Sequence, residues 1–156
     1  MPKTYRLGPA RRAVNRVMSA LVRAGLGPRR TYLLTVVGRT TGRPFTTPVS
    51  LVERDGERWL VAPYGAVSWV RNARAAGVVT VRRGRRVERL AVAEVPAGVA
   101  GPVLREYVRR EAVVRPFVGA GPDEPAEAFV AIAPAHPVFA LSPVPQPAAE
   151  GGPARA

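Results

Sequence analysis

Three observations in this 156-residue chain predict a mainly β fold with flanking helices (α+β), built as a small, partly open antiparallel barrel. Three β-rich runs, at 31–37, 45–53 and 58–62, follow one another through short turns, which is the pattern of an antiparallel meander. A further hairpin pattern spans 78–94, and helical periodicity appears at 9–26, 67–76 and 97–110. The length supports one domain with a substantial core, expected over 9–142, with polar or Pro/Ala/Gly-rich tails at 1–8 and 143–156.

Each element has a local cause. In the first helix, Val14, Val17, Met18, Leu21 and Val22 recur at three- and four-residue steps, with Arg12, Arg16 and Arg23 opposite. Gly25 and Gly27-Pro28 end it. Packing of that apolar stripe on the domain is the expectation; peripheral contact with an anionic membrane through the 9–26 helix is the second reading. Asp55-Gly56 is a strong hairpin signal between the second and third strands. Pro63-Tyr64-Gly65-Ala66 interrupts the strands before a short helix carrying Trp69, Asn72 and Ala73 at helical steps. Val78–Arg82 and Arg86–Glu94 pair around Arg83-Gly84-Arg85. Val99, Val103, Leu104 and Tyr107 form the inward face of the next helix. Ala112–Val118 reads as extended, 125–131 as a helical turn, and His136–Leu141 as the last strand.

Composition removes several chemistries. There is no cysteine, hence no disulfide framework and no thiolate nucleophile. The lone histidine, His136, leaves no multi-histidine metal site within one chain, so no metal is expected. No signal-peptide core and no apolar run of the roughly 20 residues needed for a membrane span is visible, so a cytoplasmic setting is expected. The net charge of +13 favours anionic partners, and the basic residues are nearly all arginine, whose planar fork suits phosphate and carboxylate. Nucleic acid is not expected as a partner, because no recognition motif accompanies the charge.

Two constellations carry chemistry. The turn Gly38-Arg39-Thr40-Thr41-Gly42-Arg43-Pro44 offers backbone amides, hydroxyls and two guanidinium groups at the end of a hairpin, which equips it to hold an anion. Downstream, the strand end Ala62-Pro63-Tyr64-Gly65 runs into the helix start Ser68-Trp69-Val70-Arg71-Asn72. A helix N-terminus presents unpaired amides, and Trp69 and Tyr64 can lie against a planar ring.

Together the two constellations resemble the deazaflavin-dependent nitroreductase family, the flavin/deazaflavin oxidoreductases of the split β-barrel, FMN-binding-like fold. That family pairs Gly-Arg-x-(Ser/Thr)-Gly-x-Pro-x-x-x-Pro, here Gly38 to Pro48, with a downstream Trp-x-x-Asn, here Trp69 to Asn72. The resemblance is good over residues 30–94. It implies coenzyme F420, a deazaflavin with a phosphate and an oligoglutamate tail, with FMN as the alternative cofactor. It implies that Arg39, Thr40, Thr41 and Arg43 hold the phosphate and tail. Ala62, Pro63, Tyr64, Gly65, Ser68, Trp69, Val70, Arg71 and Asn72 would then line the ring and phosphate side. The implied activity is hydride transfer from reduced cofactor to an electron-poor small molecule: a quinone, an activated alkene or a nitroaromatic. Tyr64 is the candidate proton donor and His136 a second. A non-catalytic flavin, deazaflavin or haem binder is the alternative, and the chain is expected as a monomer or homodimer.

The chain departs from the family pattern at several positions. Thr40 stands where a second basic residue often follows, Phe45 where an arginine is common, and Val70 where tyrosine is frequent. The tyrosine-rich C-terminal segment of the nitro- and quinone-reducing members is absent, which implies a different substrate pocket.

Overall fold

The structure, a computed structural model, describes residues 8–144. The expected tails at 1–8 and 143–156 lie outside it except for Gly8, Pro143 and Val144. Six strands, β1 (Thr31–Val37), β2 (Pro44–Arg54), β3 (Glu57–Val61), β4 (Val78–Arg83), β5 (Arg86–Glu94) and β6 (Val138–Pro143), close into one antiparallel barrel in the order β1-β2-β3-β6-β5-β4. The barrel is therefore closed, not partly open. β6 supplies the missing stave, since Ala140 lies opposite Trp59 on one side and Ala93 on the other. β1 meets β4 through Leu33–Arg82 and Thr35–Thr80 to complete the ring.

The β2–β3 hairpin turns through Asp55 and Gly56, both at positive φ (53° and 78°), the geometry of a two-residue type I′ turn. Side-chain alternation divides the chain between two cores. Leu34, Val36, Leu51, Leu60, Val79, Val81 and Phe139 fill the barrel interior, joined by Val70 and Ala73 from α2 (Ser68–Ala76), which plugs one end. Residues at the intervening positions, Val52, Trp59, Val61 and Val138, face outward and pack on α3 (Ala97–Arg110) and α4 (Ala126–Ile132). At the α3–α4 crossing a Cβ on Gly101 would fall 2.5 Å from Val130 Cγ2, so only glycine permits that approach.

Three local expectations are corrected. Ala112–Phe117 is a 3₁₀ segment rather than an extended one. Its Val113-Val114 pair suits a strand, but Pro116 follows and the closed barrel offers no free edge. Val99 is 47% exposed, so the buried face of α3 is shifted to Ala100, Val103, Leu104, Tyr107 and Val108. In α1 (Pro9–Arg23), Val22 is fully buried but Val14, Val17 and Leu21 remain 61%, 62% and 39% exposed. The helix instead docks on the edge carrying Arg11, Asn15, Met18 and Val22, about a quarter turn away. The docking is fixed at its C-terminal end, where the Gly84 amide donates to Val22 O at 3.0 Å. Arg83 adds donors to Pro28 O (2.7 Å), Thr31 O (2.9 Å) and Gly27 O (3.2 Å).

Candidate functional site

A cavity of about 930 Å³ lies between the docked edge of α1, the outer face of β2, the Gly38–Pro44 turn and the head of α2. It is the larger of the two cavities described, and both sequence constellations reach it. Arg39, Thr40 and Thr41 border it from the turn, and Pro63, Tyr64, Ser68, Trp69 and Asn72 from the strand–helix junction.

The turn and the helix are joined by one buried group. Asn72 is 3% exposed, and its Oδ1 accepts from the Arg39 backbone N–H (3.2 Å) and from Arg39 Nη1 (2.7 Å). The turn is also tied to itself, since Gly38 donates to Arg43 O at 2.7 Å and Gly42 donates to Gly38 O at 2.9 Å. Gly38 lies under the Phe45 ring and Thr41 Oγ1, and a Cβ there would meet each at 2.9 Å, so both side chains would have to shift. These bonds leave the amides of Thr40 and Thr41 without an acceptor among the described residues. The amides of Ser68 and Trp69, the first two of α2, have no backbone acceptor either. The four residues with unspent N–H groups and Arg39 thus all border the same cavity, and no carboxylate pairs with Arg39 among the described residues. Such a rim is suited to an anion.

The remaining predicted residues are placed differently. Ala62 and Val70 are buried with their side chains in the barrel core. Gly65 shapes the loop at φ 83°, and Arg71 Nε donates to Ala66 O at 3.0 Å. Arg43 is exposed and does not border the cavity; its backbone N–H donates to Thr41 Oγ1 at 3.2 Å. His136 is also outside the cavity. It is 7% exposed, and its Nδ1 lies 2.8 Å from Pro63 O, so its visible role is to anchor the loop that carries Tyr64. Burial holds its pKa below the ordinary histidine value, partly offset by the Pro63 hydrogen bond, so the ring is neutral near pH 7.

The structure brings in residues that the motifs do not contain. Arg11 from α1 stacks over both the Tyr64 ring (5.6 Å) and the Phe117 ring (5.5 Å), and its Nη2 reaches Tyr64 Oη at 3.5 Å. Tyr64 meets Phe117 edge to face at 5.0 Å. Asn15 and Met18 of α1 and Phe45 of β2 add to the wall, and Tyr107, Glu111, Val113 and Val114 form the side next to α3. Arg11 and Asn15 sit four residues apart on an edge that hydropathy reads as solvent-facing, so only the polar i,i+4 pair signals it. Tyr107 is the lone aromatic on an otherwise aliphatic helix face.

With this geometry in view, sequence comparison decides the family. Residues 10–115 match the family model described as F420H(2)-dependent quinone reductase. The chain belongs to that family. It is an oxidoreductase, and coenzyme F420 is its cofactor. No curated protein matches the chain in sequence. Among solved structures, one described as a domain-swapped dimer is 21% identical, covering 85% of this chain and 96% of its own at a TM-score of 0.55. An F420-H2 dependent reductase (FDR-A) is 22% identical, covering 73% and 95% at 0.52. The heme storage protein HutZ of Vibrio cholerae is 13% identical, covering 76% and 84% at 0.52. These likenesses establish the barrel as the split-barrel, FMN-binding-like fold.

Proposed function

We propose that the rim formed by the Gly38–Pro44 turn and the head of α2 holds the acidic end of coenzyme F420, and that the rest of the cavity takes its ring together with a hydride acceptor. The observation that carries this reading is the Arg39–Asn72 junction, which ties the turn to α2 at a cavity bordered by four residues whose amides lack acceptors and by Arg39, which lacks a carboxylate among the described residues. Phosphate and glutamate carboxylates are the groups such a donor set satisfies best. Arg39, Thr40 and Thr41 would bind them directly, while Asn72 positions Arg39. Arg43, exposed beside the turn, adds charge to the approach. Pro63, Tyr64, Ser68 and Trp69 border the space left for the ring; Ala62, Gly65, Val70 and Arg71 set the backbone on which those residues stand.

When bound and reduced, F420 supplies a hydride equivalent to an electron-poor acceptor: a quinone, an activated alkene or a nitroaromatic. The protein's own residues then orient the two partners, exclude water and deliver a proton. Tyr64 is the candidate donor, since it borders the cavity and its hydroxyl accepts from Arg11 Nη2, whose charge would balance the one left behind. Fluorescence titration of the purified protein with F420 and FMN, followed by turnover with menadione and a nitroaromatic, tests the reading. F420 is expected to bind well ahead of FMN, and failure of both to bind would sink it.

The outer face of α1 supports a finer reading of where the acceptor comes from. Val14, Val17 and Leu21 are exposed there, Leu26 is exposed just beyond the helix end, and no acidic residue occurs before Glu53. Among the described residues no helix is long and apolar enough to cross a membrane. A basic helix with an exposed apolar stripe is suited to lying on an anionic bilayer, next to a supply of lipid-soluble quinone. Cosedimentation with anionic vesicles, lost in Val17→Glu and in neutral vesicles, is the expected result; equal recovery from both vesicle types removes it.

A further inference from the structure

The cavity wall opposite the anion rim holds a group that neither motif accounts for. Tyr107 lines the cavity, is only 7% exposed, and its hydroxyl has no hydrogen-bond partner among the described residues. The hydroxyl is not sealed off, since Arg105 Nε is the one fully buried side-chain polar atom without a partner among the described residues, so a ligand's acceptor atom can reach it from the cavity. The surroundings fit a flat apolar body, since Val61, Val113 and Val114 share the wall with Tyr64. Tyr107 also borders a second, smaller cavity of about 260 Å³, together with Pro28, Arg29, Arg30 and Arg110.

Resting on the F420 reading above, we propose that this wall is the acceptor subsite, and that Tyr107 donates its hydroxyl proton in a hydrogen bond to a carbonyl or nitro oxygen of the substrate. Tyr107 keeps that proton throughout. Burial, reinforced by the Glu111 carboxylate four residues on, raises its pKa far above the ordinary tyrosine value. It binds and polarises the oxygen on which negative charge develops as the ring carbon accepts hydride, and the proton that completes reduction comes from elsewhere. The two tyrosines thus divide the work, with Tyr64 at the open, Arg11-flanked side and Tyr107 at the closed side.

The test is Tyr107→Phe, which removes one oxygen and keeps the ring. Three measurements separate a role in acceptor binding from a role in packing. Cofactor-free protein is titrated, by tryptophan fluorescence, with menadione and with 2-methylnaphthalene, which has the same frame without oxygens. The variant is expected to lose about five- to tenfold in menadione affinity, the size of one hydrogen bond, with 2-methylnaphthalene affinity within about twofold of wild type. The melting temperature is expected to hold or rise, and F420 affinity to be unchanged. On protein loaded with reduced F420, kcat/KM for menadione is expected to fall about tenfold or more. Equal changes for menadione and 2-methylnaphthalene, no change for either, or wild-type protein that binds neither, would each overturn the proposal. Failure of F420 to bind would instead strike the reading on which it rests.

Discussion

The turn after β1 and the turn after β4 are built from the same residue types, arginine beside glycine, yet their arginines are used differently. Arg83 spends its guanidinium on three backbone carbonyls, at Gly27, Pro28 and Thr31, and so fastens α1 to the barrel. Among the described residues Arg39 has only the Asn72 side chain for a partner, and the amides next to it are unspent. Glycine allows close approach in both turns: Gly84, at φ 59°, would bring a Cβ within 3.3 Å of Gly25 Cα, and a Cβ on Gly38 would push against the Phe45 ring at 2.9 Å. What separates a structural clamp from a ligand rim is therefore not composition but whether the donors already have acceptors within the protein.

That contrast predicts a double dissociation, which carries the largest expected effects. Arg39→Ala should weaken F420 binding by about tenfold to a hundredfold, the range of a charge-assisted hydrogen bond, and cost no more than about 1 kcal/mol of stability, since Asn72 Oδ1 keeps the Arg39 backbone N–H. Arg83→Ala should do the reverse. Losing a clamp on three carbonyls is expected to cost about 2–3 kcal/mol of stability in urea unfolding, with F420 affinity in the still-folded protein within about twofold of wild type. If Arg83→Ala weakened the cofactor as much as Arg39→Ala, the distinction between the two turns would collapse.

Asn72→Ala sharpens the same comparison at intermediate size, because Asn72 gives the Arg39 turn the only side-chain anchor it has among the described residues. Both properties should move: stability by about 1–2 kcal/mol from the lost buried hydrogen bonds, and F420 affinity by about five- to tenfold as the turn loosens. A variant that is destabilised yet binds F420 normally would show that the junction supports the fold alone.

The smallest effect concerns the loop facing the turn across the cavity, held by His136 on Pro63 O. Burial lowers the histidine's pKa in the folded state, so the unfolded chain takes up the proton first as pH falls. The stability from the neutral ring is fully present above the unfolded value near 6.5 and is lost as pH falls from there through the lower folded value. Thermal unfolding between pH 8 and 5 should therefore show a decline below about pH 6.5 that His136→Gln flattens. An identical slope in the variant would assign the decline to other groups.

How much of this was legible in the sequence follows from the range of the interactions. The hairpins at Asp55-Gly56 and Gly84-Arg85 are local, so the strands could be read directly, whereas the division of Leu60 and Ala62 from Trp59 and Val61 between two cores depends on distant packing partners. Closure could not be read either, because β6 enters between β3 and β5 from far along the chain. The anion rim was legible as two motifs, but their coupling through Asn72 spans 33 residues and needed coordinates. The α1 edge bearing Arg11 and Asn15 was hidden by a more hydrophobic stripe that the structure leaves in solvent. Tyr107 read as one more core residue, since an unsatisfied hydroxyl leaves no mark on hydropathy.

The central claim, that the Gly38–Pro44 turn seats the acidic end of the cofactor, is tested most directly by comparing F420 with the same deazaflavin stripped of its phosphate and glutamate tail. Each is titrated into wild-type and Arg39→Ala protein. The account predicts that wild type binds intact F420 at least about tenfold more tightly than the stripped form, and that Arg39→Ala closes most of that gap by weakening intact F420 alone. Equal affinities for the two ligands in wild type, or a gap that survives in Arg39→Ala, would contradict it.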